Sequence, residues 1–179
     1  MTSHFMTDEL SLHLKGNLER LFDAQQMKPA GTGNASEALQ NQLIRSDEIY
    51  WLDRSHEDPH ENAFFDLMDE FVLYLNRTCF TGITSYEFHY ARYGQGAFYT
   101  KHKDQFRIQP SRKFSMIMYL NEGWQTGDGG ELCIHQNGQE QRIAPEFGKG
   151  VFFKSDELEH EVLPTHKTRM SITGWLKSD

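Results

Sequence analysis

The sequence has only two cysteines and no long apolar run. Cys79 and Cys133 do not form a C-x-x-C motif, so the simplest interpretation is two buried, reduced thiols in a cytoplasmic protein. No stretch approaches the roughly 20 apolar residues of a membrane span, and residues 1–9 lack the basic and apolar regions of a secretory signal. We therefore predict no membrane partner and a cytoplasmic location.

Positive charge is scarce as well. The 179 residues contain 18 lysines and arginines against 26 aspartates and glutamates, which gives a net charge of −8 without any basic run. This balance disfavours nucleic acid as a partner. Aromatic residues, by contrast, make up 13% of the chain, which fits a packed, β-rich globule rather than a disordered chain. The length suits one domain.

Two amphipathic helices are predicted in the first half of the chain. Residues 8–27 place leucines at helical spacing on one stripe, and a second helix follows Asn62, which can cap it. Between these helices the sequence predicts a small-residue loop at 29–36, a strand at 47–52 and a polar loop at 53–62.

The pattern changes from residue 83 onward, where β-branched and aromatic runs alternate with Gly, Asn and Asp turns. Eight strands are predicted, near residues 83–93, 99–104, 113–120, 131–135, 141–144, 150–153, 160–163 and 169–177. Short strands after two helices indicate a mainly β (α+β) fold, in which N-terminal helices pack on one face of a double-stranded β-helix (jelly-roll, cupin-like) core. We treat residues 1–179 as a single domain, with a helical N-terminal extension at 1–42 and the β-helix core at 83–177.

A candidate metal site lies where the predicted strand 99–104 ends. His102 and Asp104 are two residues apart, so on an extended backbone both side chains point to the same face and can bind one ion together. His160 is the candidate third ligand. Two imidazoles and one carboxylate with open positions are typical of non-haem Fe(II) oxygenases. A histidine and an aspartate at this spacing are weak evidence alone, and a solvated strand end is the alternative.

The last predicted strand carries an arginine, Arg169, on the same face as Trp175. An arginine inside a barrel is costly unless it meets an anion, and its planar fork suits a carboxylate. Tyr119 is inward-facing on its own predicted strand, and its hydroxyl could contact the same carboxylate. The alternatives are that Arg169 pairs with a surface glutamate and that Tyr119 is a half-buried core aromatic.

Several motifs together resemble the iron- and 2-oxoglutarate-dependent prolyl 4-hydroxylases, in particular the hypoxia-inducible-factor prolyl hydroxylase-like branch and its bacterial relatives. The resemblance covers roughly residues 43–177. Its motifs are Ile44–Leu52, Arg92–Asp104, Met118–Asn121, Gly129–Leu132, Ile143–Phe147, Val151–Asp156, His160–Pro164 and Arg169–Trp175. It implies a dioxygenase that uses Fe(II), 2-oxoglutarate and O2, with L-ascorbate as an additional cofactor. The implied reaction hydroxylates a prolyl residue of a protein or peptide substrate and releases succinate and CO2.

The resemblance also implies roles for nine side chains. The iron ligands and catalytic residues are His102, Asp104 and His160; the cofactor-binding residues are Arg169, Tyr119, Tyr93, Leu132 and Ser115; and the substrate-pocket residue is Trp175. The loop between Tyr93 and His102 is one residue shorter than in the relatives, which leaves the exact role of Tyr93 open. We expect the other histidines, including His89 and His135, not to bind iron.

Two other functions stay open. One is a 2-oxoglutarate oxygenase that acts on a different side chain or on a free small molecule, and the other is a non-catalytic, metal-binding cupin-like module. A nucleic-acid demethylase is disfavoured, because such relatives carry a second arginine six positions after the one corresponding to Arg169, where this chain has Trp175.

Overall fold

The structure is a computed structural model that describes the backbone of residues 2–3 and the whole of residues 5–31, 44–104 and 111–178. Within these residues the α-helices are α1 (Asp8–Asp23) and α2 (Pro59–Cys79), and a 3-10 turn covers Arg54–His56. The strands are β1 (Thr2–Ser3), β2 (Lys28–Pro29), β3 (Glu48–Trp51), β4 (Ser85–Tyr93), β5 (Tyr99–His102), β6 (Arg112–Tyr119), β7 (Leu132–Gln136), β8 (Gln139–Ile143), β9 (Lys149–Lys154), β10 (Glu159–Val162) and β11 (Arg169–Lys177).

The strands form two antiparallel sheets. The larger sheet has seven strands in the order β1-β9-β6-β11-β4-β3-β2, and the smaller has four in the order β5-β10-β7-β8. A buried apolar cluster joins side chains of both sheets, among them Tyr119 of β6, Leu132 of β7 and Val162 of β10. This arrangement confirms the predicted jelly-roll class. The eight strands predicted after residue 83 are all present, and each begins and ends within two residues of its predicted bounds.

The two helices cover the opposite face of the larger sheet, as predicted. Leu14 and Leu18 of α1 and Phe64 and Met68 of α2 are fully buried in a second apolar cluster, which includes Ile172 of β11. Full burial of a large apolar side chain contributes about 1.5–3 kcal/mol. This cluster therefore fixes the helices against the sheet whose other face lines the core between the sheets.

The start of α2 differs from the prediction. The helix begins at Pro59 rather than after Asn62, because Asp58 caps it by accepting hydrogen bonds from the backbone N–H groups of His60 at 2.9 Å and Glu61 at 3.0 Å. Proline suits the first helical position, where its missing N–H costs nothing. The predicted loop 53–62 was therefore wrong in its second half.

The predicted end of α1 was also wrong. The helix stops at Asp23 rather than continuing to residue 27, because Gln25 adopts a left-handed conformation with a φ of 56°. The proposed extension at 1–42 contains α1 and also β1 and β2, which pair with the larger sheet. Part of the predicted loop 29–36 lies outside the described residues.

The structure also bears on two other predictions, which concern the burial of the cysteines and the absence of a membrane span. Cys133 is buried, as expected, but Cys79 is exposed because it is the last residue of α2, and neither forms a disulfide. No helix within the described residues is both long and apolar enough to cross a lipid bilayer.

Candidate active site

Three predicted metal ligands meet at one end of the smaller sheet. His102 on β5 and His160 on β10 are directly paired across the sheet, and Asp104 follows two residues after His102. Nε2 of His102 lies 3.3 Å from Oδ1 of Asp104, and Nε2 of His160 lies 3.5 Å from Oδ2. All three ligand atoms lie within 4.8 Å of one another, so they can contact a single ion. The structure thus brings together all three residues that the sequence singles out.

The backbone orients both imidazoles for this arrangement. Nδ1 of His102 lies 2.7 Å from the carbonyl oxygen of Thr100, and Nδ1 of His160 lies 3.2 Å from that of Leu158. A carbonyl oxygen can only accept, so each Nδ1 carries the proton and each Nε2 presents its lone pair toward Asp104. Hydrogen bonds of this kind fix the tautomer of metal-binding histidines.

The protonation states also suit a metal. Burial opposes the charge of Asp104, but hydrogen bonding, which includes the bond from Ser115, holds the pKa of its carboxyl below the ordinary value. Burial lowers the pKa of His160, which favours the neutral imidazole. A carboxylate and neutral imidazoles are the forms that bind metal ions. The residues present therefore fit an Fe(II) ion.

A supporting stack beside His102 was missed by the sequence analysis. The ring of Tyr99 lies parallel to that of His102, with 3.6 Å between centroids, and the guanidinium of Arg45 lies 4.4 Å from the Tyr99 ring. Asp47 accepts two hydrogen bonds from Arg45, at 2.7 and 2.6 Å. The spacing of Arg45 and Asp47, two residues apart on an extended segment, was the available signal.

Arg169 is a buried cation that has no acidic partner among the residues the structure describes. The residue is only 1% exposed, and its Nε donates a hydrogen bond to the carbonyl oxygen of Gly130 at 2.9 Å. Its guanidinium carbon lies 4.8 Å from the ring of Tyr93 and 5.0 Å from that of Tyr119. None of the described carboxylates forms an ion pair with it, so the predicted alternative of a surface glutamate partner is not seen there.

The surroundings of Arg169 fit an acidic ligand. A buried guanidinium is unfavourable unless an anion compensates it. The Tyr119 hydroxyl is also buried and has no hydrogen-bond partner among the described residues. Burial raises the pKa of Tyr119, so its hydroxyl stays protonated and can donate. Close packing fixes the arginine: a Cβ on Gly130, whose φ is +64°, would lie 3.1 Å from Cδ of Arg169.

The remaining predicted pocket residues lie in two places, some near Arg169 and some near Asp104. Tyr93 pairs with Arg169 across β4 and β11, and Leu132 belongs to the same buried cluster as Tyr93. Ser115, for which the resemblance implies a place near the co-substrate, donates a hydrogen bond to Oδ2 of Asp104 at 2.6 Å. It lies opposite Trp175, six residues along β11 from Arg169.

Trp175, the cross-strand partner of Ser115, belongs to an aromatic group. Its indole lies 5.5 Å from the imidazole of His89 and 6.4 Å from the indole of Trp51, and the Arg112 guanidinium lies 3.5 Å from its centroid. His89 is 3% exposed. His89 Nδ1 and Trp175 Nε1 are buried and have no hydrogen-bond partner among the described residues. His89 was predicted only as a core or rim residue, and its position in this group was not foreseen.

Comparison with known proteins identifies the family. Residues 88–177 match the model of the 2OG-Fe(II) oxygenase superfamily. This chain belongs to that superfamily. The match spans β4 to β11 and includes His102, Asp104, His160 and Arg169, and the predicted family resemblance is thereby confirmed.

The curated relatives of this oxygenase domain include prolyl hydroxylases. The chain is 31% identical over 144 residues to prolyl hydroxylase EGLN3 of Mus musculus, covering 74% of this chain and 58% of the relative. It is 32% identical over 144 residues to Egl nine homolog 1 of Homo sapiens, covering 74% of this chain and 33% of the relative. The chain thus spans between a third and three fifths of the length of these relatives.

Solved structures of oxygenases share the fold. A prolyl-4-hydroxylase of Pseudomonas putida superposes with a TM-score of 0.88 and 36% identity, covering 99% of this chain and 91% of that one. A prolyl hydroxylase of Trichoplax adhaerens, in complex with a hypoxia inducible factor oxygen degradation domain peptide fragment, superposes with a TM-score of 0.86 and 22% identity. It covers 99% of this chain and 82% of that one, and at this identity it shows the fold alone.

Proposed function

We propose that this chain is an Fe(II)- and 2-oxoglutarate-dependent dioxygenase that hydroxylates a prolyl residue in a protein or peptide and releases succinate and CO2. One observation carries the proposal: a buried arginine with no anionic partner among the described residues and a His-Asp-His group with metal-ligand spacing contact the same buried cluster between the sheets. Arg169 contacts the cluster through Tyr93 and Tyr119, and His160 contacts it through Phe153. A metal-binding module without a co-substrate would have no use for that arginine.

In this proposal His102, Asp104 and His160 hold Fe(II) through two Nε2 atoms and one carboxylate oxygen. With three protein ligands, such an ion would keep positions open for a co-substrate. The iron, with 2-oxoglutarate and O2, supplies the oxidising chemistry, and the protein supplies geometry and a dry site. The backbone carbonyls of Thr100 and Leu158 keep the two imidazoles oriented.

Arg169 binds the distal carboxylate of 2-oxoglutarate. Gly130 occupies its Nε, so the two terminal nitrogens remain for a two-pronged contact with a carboxylate. The Tyr119 hydroxyl donates to the same carboxylate. Tyr93 and Leu132 form apolar walls that exclude water from the bound dicarboxylate, which strengthens the ion pair.

The prolyl substrate is proposed from the relatives and from the aromatic group. The Pseudomonas putida protein is named a prolyl-4-hydroxylase, and the Trichoplax adhaerens protein binds a peptide fragment. Trp175 and Trp51 offer apolar faces against which a pyrrolidine ring can pack beside the metal.

A second substrate class has one observation in its favour. The unpartnered polar atoms of His89 and Trp175 would suit a polar group on the substrate, so a different side chain or a free small molecule is the alternative.

We also propose that 1–179 acts as one oxygenase domain, that L-ascorbate maintains the iron, and that the location is cytoplasmic. Cys79 and Cys133, which are both unpaired, support the last of these.

The decisive experiment measures succinate formation by the full chain with Fe(II), 2-oxoglutarate and proline-containing peptides. We expect peptide-stimulated turnover and, by mass spectrometry, the gain of one oxygen atom on a proline. The His160→Ala variant is the inactive control. Succinate formation that no prolyl substrate stimulates, but that a free amino acid does, would transfer the assignment to the alternative.

A further inference from the structure

A second group of metal-ligand side chains lies on the outer face of the smaller sheet. Leu132 and Ile134 of β7 point into the core between the sheets, so Cys133 and His135 project from the other face. On β10 the same alternation directs His160 inward and Glu161 outward. Glu161 is the direct cross-strand partner of Cys133.

These three side chains converge on one point. The ligand atoms of Cys133, His135 and Glu161 lie within 4.8 Å of one another. Nε2 of His135 is 2.8 Å from Oε1 of Glu161, and its Nδ1 is 3.6 Å from Oε1 of Glu140. Cys133 is 1% exposed, and the other two are half-buried. All three candidate ligands lie on the paired strands β7 and β10, so their relative positions are held more firmly than they would be on loops.

An ordinary ion pair explains only part of this geometry. A histidine between two glutamates would form a charged pair on its own, but it gives no reason for a buried thiol at the third corner. Sulfur, nitrogen and oxygen donors at one point are the ligand set of borderline-soft zinc. Two ligands about 2.0 Å from one zinc ion lie roughly 3 Å apart, which matches the separation of His135 and Glu161.

We propose that Cys133 Sγ, His135 Nε2 and the Glu161 carboxylate bind Zn(II). The Glu140 carboxylate, with Oε1 3.6 Å from Nδ1 of His135, takes the place that the carboxylate has in carboxylate–histidine–metal sites and closes to a hydrogen bond when the ion binds, and water fills the fourth position. The Cys133 thiol gives its proton to solvent when the metal binds. The ion ties β7 to β10, on which His160, the residue before Glu161, is the candidate iron ligand on the inner face.

Arg142, a cation that interacts with the Cys133 thiol, does not block this site. Arg142 is the cross-strand partner of Cys133 on β8, but its side chain is mostly exposed and pairs with Glu140 at 3.6 Å. An exposed arginine head can move into solvent at little cost.

The test uses Co(II) as a probe, added to the full chain under reducing conditions. Cobalt bound to thiolate gives a strong near-ultraviolet charge-transfer band, and the inner His102-Asp104-His160 group contains no sulfur, so the band reports the outer site alone. We expect a saturable band in the natural chain that added Zn(II) abolishes. The Cys79→Ser variant keeps the band, and the Cys133→Ser variant loses it.

Further variants test the other ligands. His135→Ala and Glu161→Gln should raise the Kd for Co(II) at least about tenfold. Glu140→Ala should raise it about tenfold, because the carboxylate beside Nδ1 of His135 is lost. Glu146→Gln, which removes the same charge on the β8–β9 turn, should leave the Kd unchanged. Circular dichroism checks that each variant folds, and Asp104→Ala should retain the band. No band in the natural chain, or a band that survives Cys133→Ser, would overturn the proposal.

Discussion

The hydroxyl of Ser115 donates a 2.6 Å hydrogen bond to Oδ2 of Asp104, and its oxygen lies 2.8 Å from the hydroxyl of Ser155. All three side chains are buried. Ser115 belongs to β6 of the larger sheet, whereas Asp104 follows β5 of the smaller one, so this bond connects the two sheets at the candidate metal centre. It leaves Oδ1 to face His102 and orients the carboxylate toward the two imidazoles.

The first prediction is that Ser115→Ala weakens metal binding about 10- to 100-fold, the usual effect of removing a group that orients a metal ligand. Titration calorimetry with Mn(II) in the absence of oxygen measures it. Ser11→Ala is the matched control, because it removes a buried hydroxyl of α1 that donates to the Thr7 carbonyl within the same helix turn. Equal Kd values for Ser115→Ala and the natural chain would mean that the Asp104 carboxylate needs no support from β6.

The second prediction separates binding from stability at Arg169. Replacing it with methionine should weaken 2-oxoglutarate at least about 100-fold, because two charge-assisted hydrogen bonds are lost. The same change should leave the ligand-free protein at least as stable, since it removes a buried charge that no described carboxylate compensates. Calorimetry with Mn(II) and thermal unfolding measure the two effects. A large fall in Tm without 2-oxoglutarate would show that the arginine serves the fold instead.

The third prediction concerns the pair of Arg45 and Asp47. Asp47 is buried, so Arg45→Ala leaves its carboxylate without a partner and should lower the free energy of unfolding by about 3 kcal/mol. The double variant Arg45→Met, Asp47→Leu should recover most of that loss. Urea unfolding measures both. Because Arg45 packs on Tyr99, which stacks on His102, metal affinity should stay reduced even in the double variant. Full recovery of metal affinity would show that the stack does not position His102.

The sequence predicts those parts of the site that depend on local spacing. His102 and Asp104 could be found from their separation of two residues, and the strands from alternation of side chains. His160 and Arg169 lie on different strands, so only the resemblance of the whole motif order connected them to His102. Contacts between sheets, such as that of Ser115 with Asp104, have no local signature, because they depend on how two distant strands meet. The cap of α2 was missed although Asp58 and Pro59 carry the signal for it.

The last prediction follows from the burial of His89. Burial, with a smaller effect of Arg45, lowers its pKa to about 4; the other charges facing it are Asp47, Arg112 and Asp104. In the unfolded chain the pKa is about 6.5, so below that pH the unfolded state takes up a proton that the folded state does not. Stability should therefore fall as the pH drops from about 6.5 to about 4. Between pH 7 and pH 5 this effect amounts to about 2 kcal/mol. Urea unfolding of the metal-free protein at both pH values measures this loss of unfolding free energy. In the His89→Gln variant the loss between pH 7 and pH 5 should be smaller by about 2 kcal/mol. Parallel pH profiles for the two proteins would mean that the imidazole is protonated inside the fold.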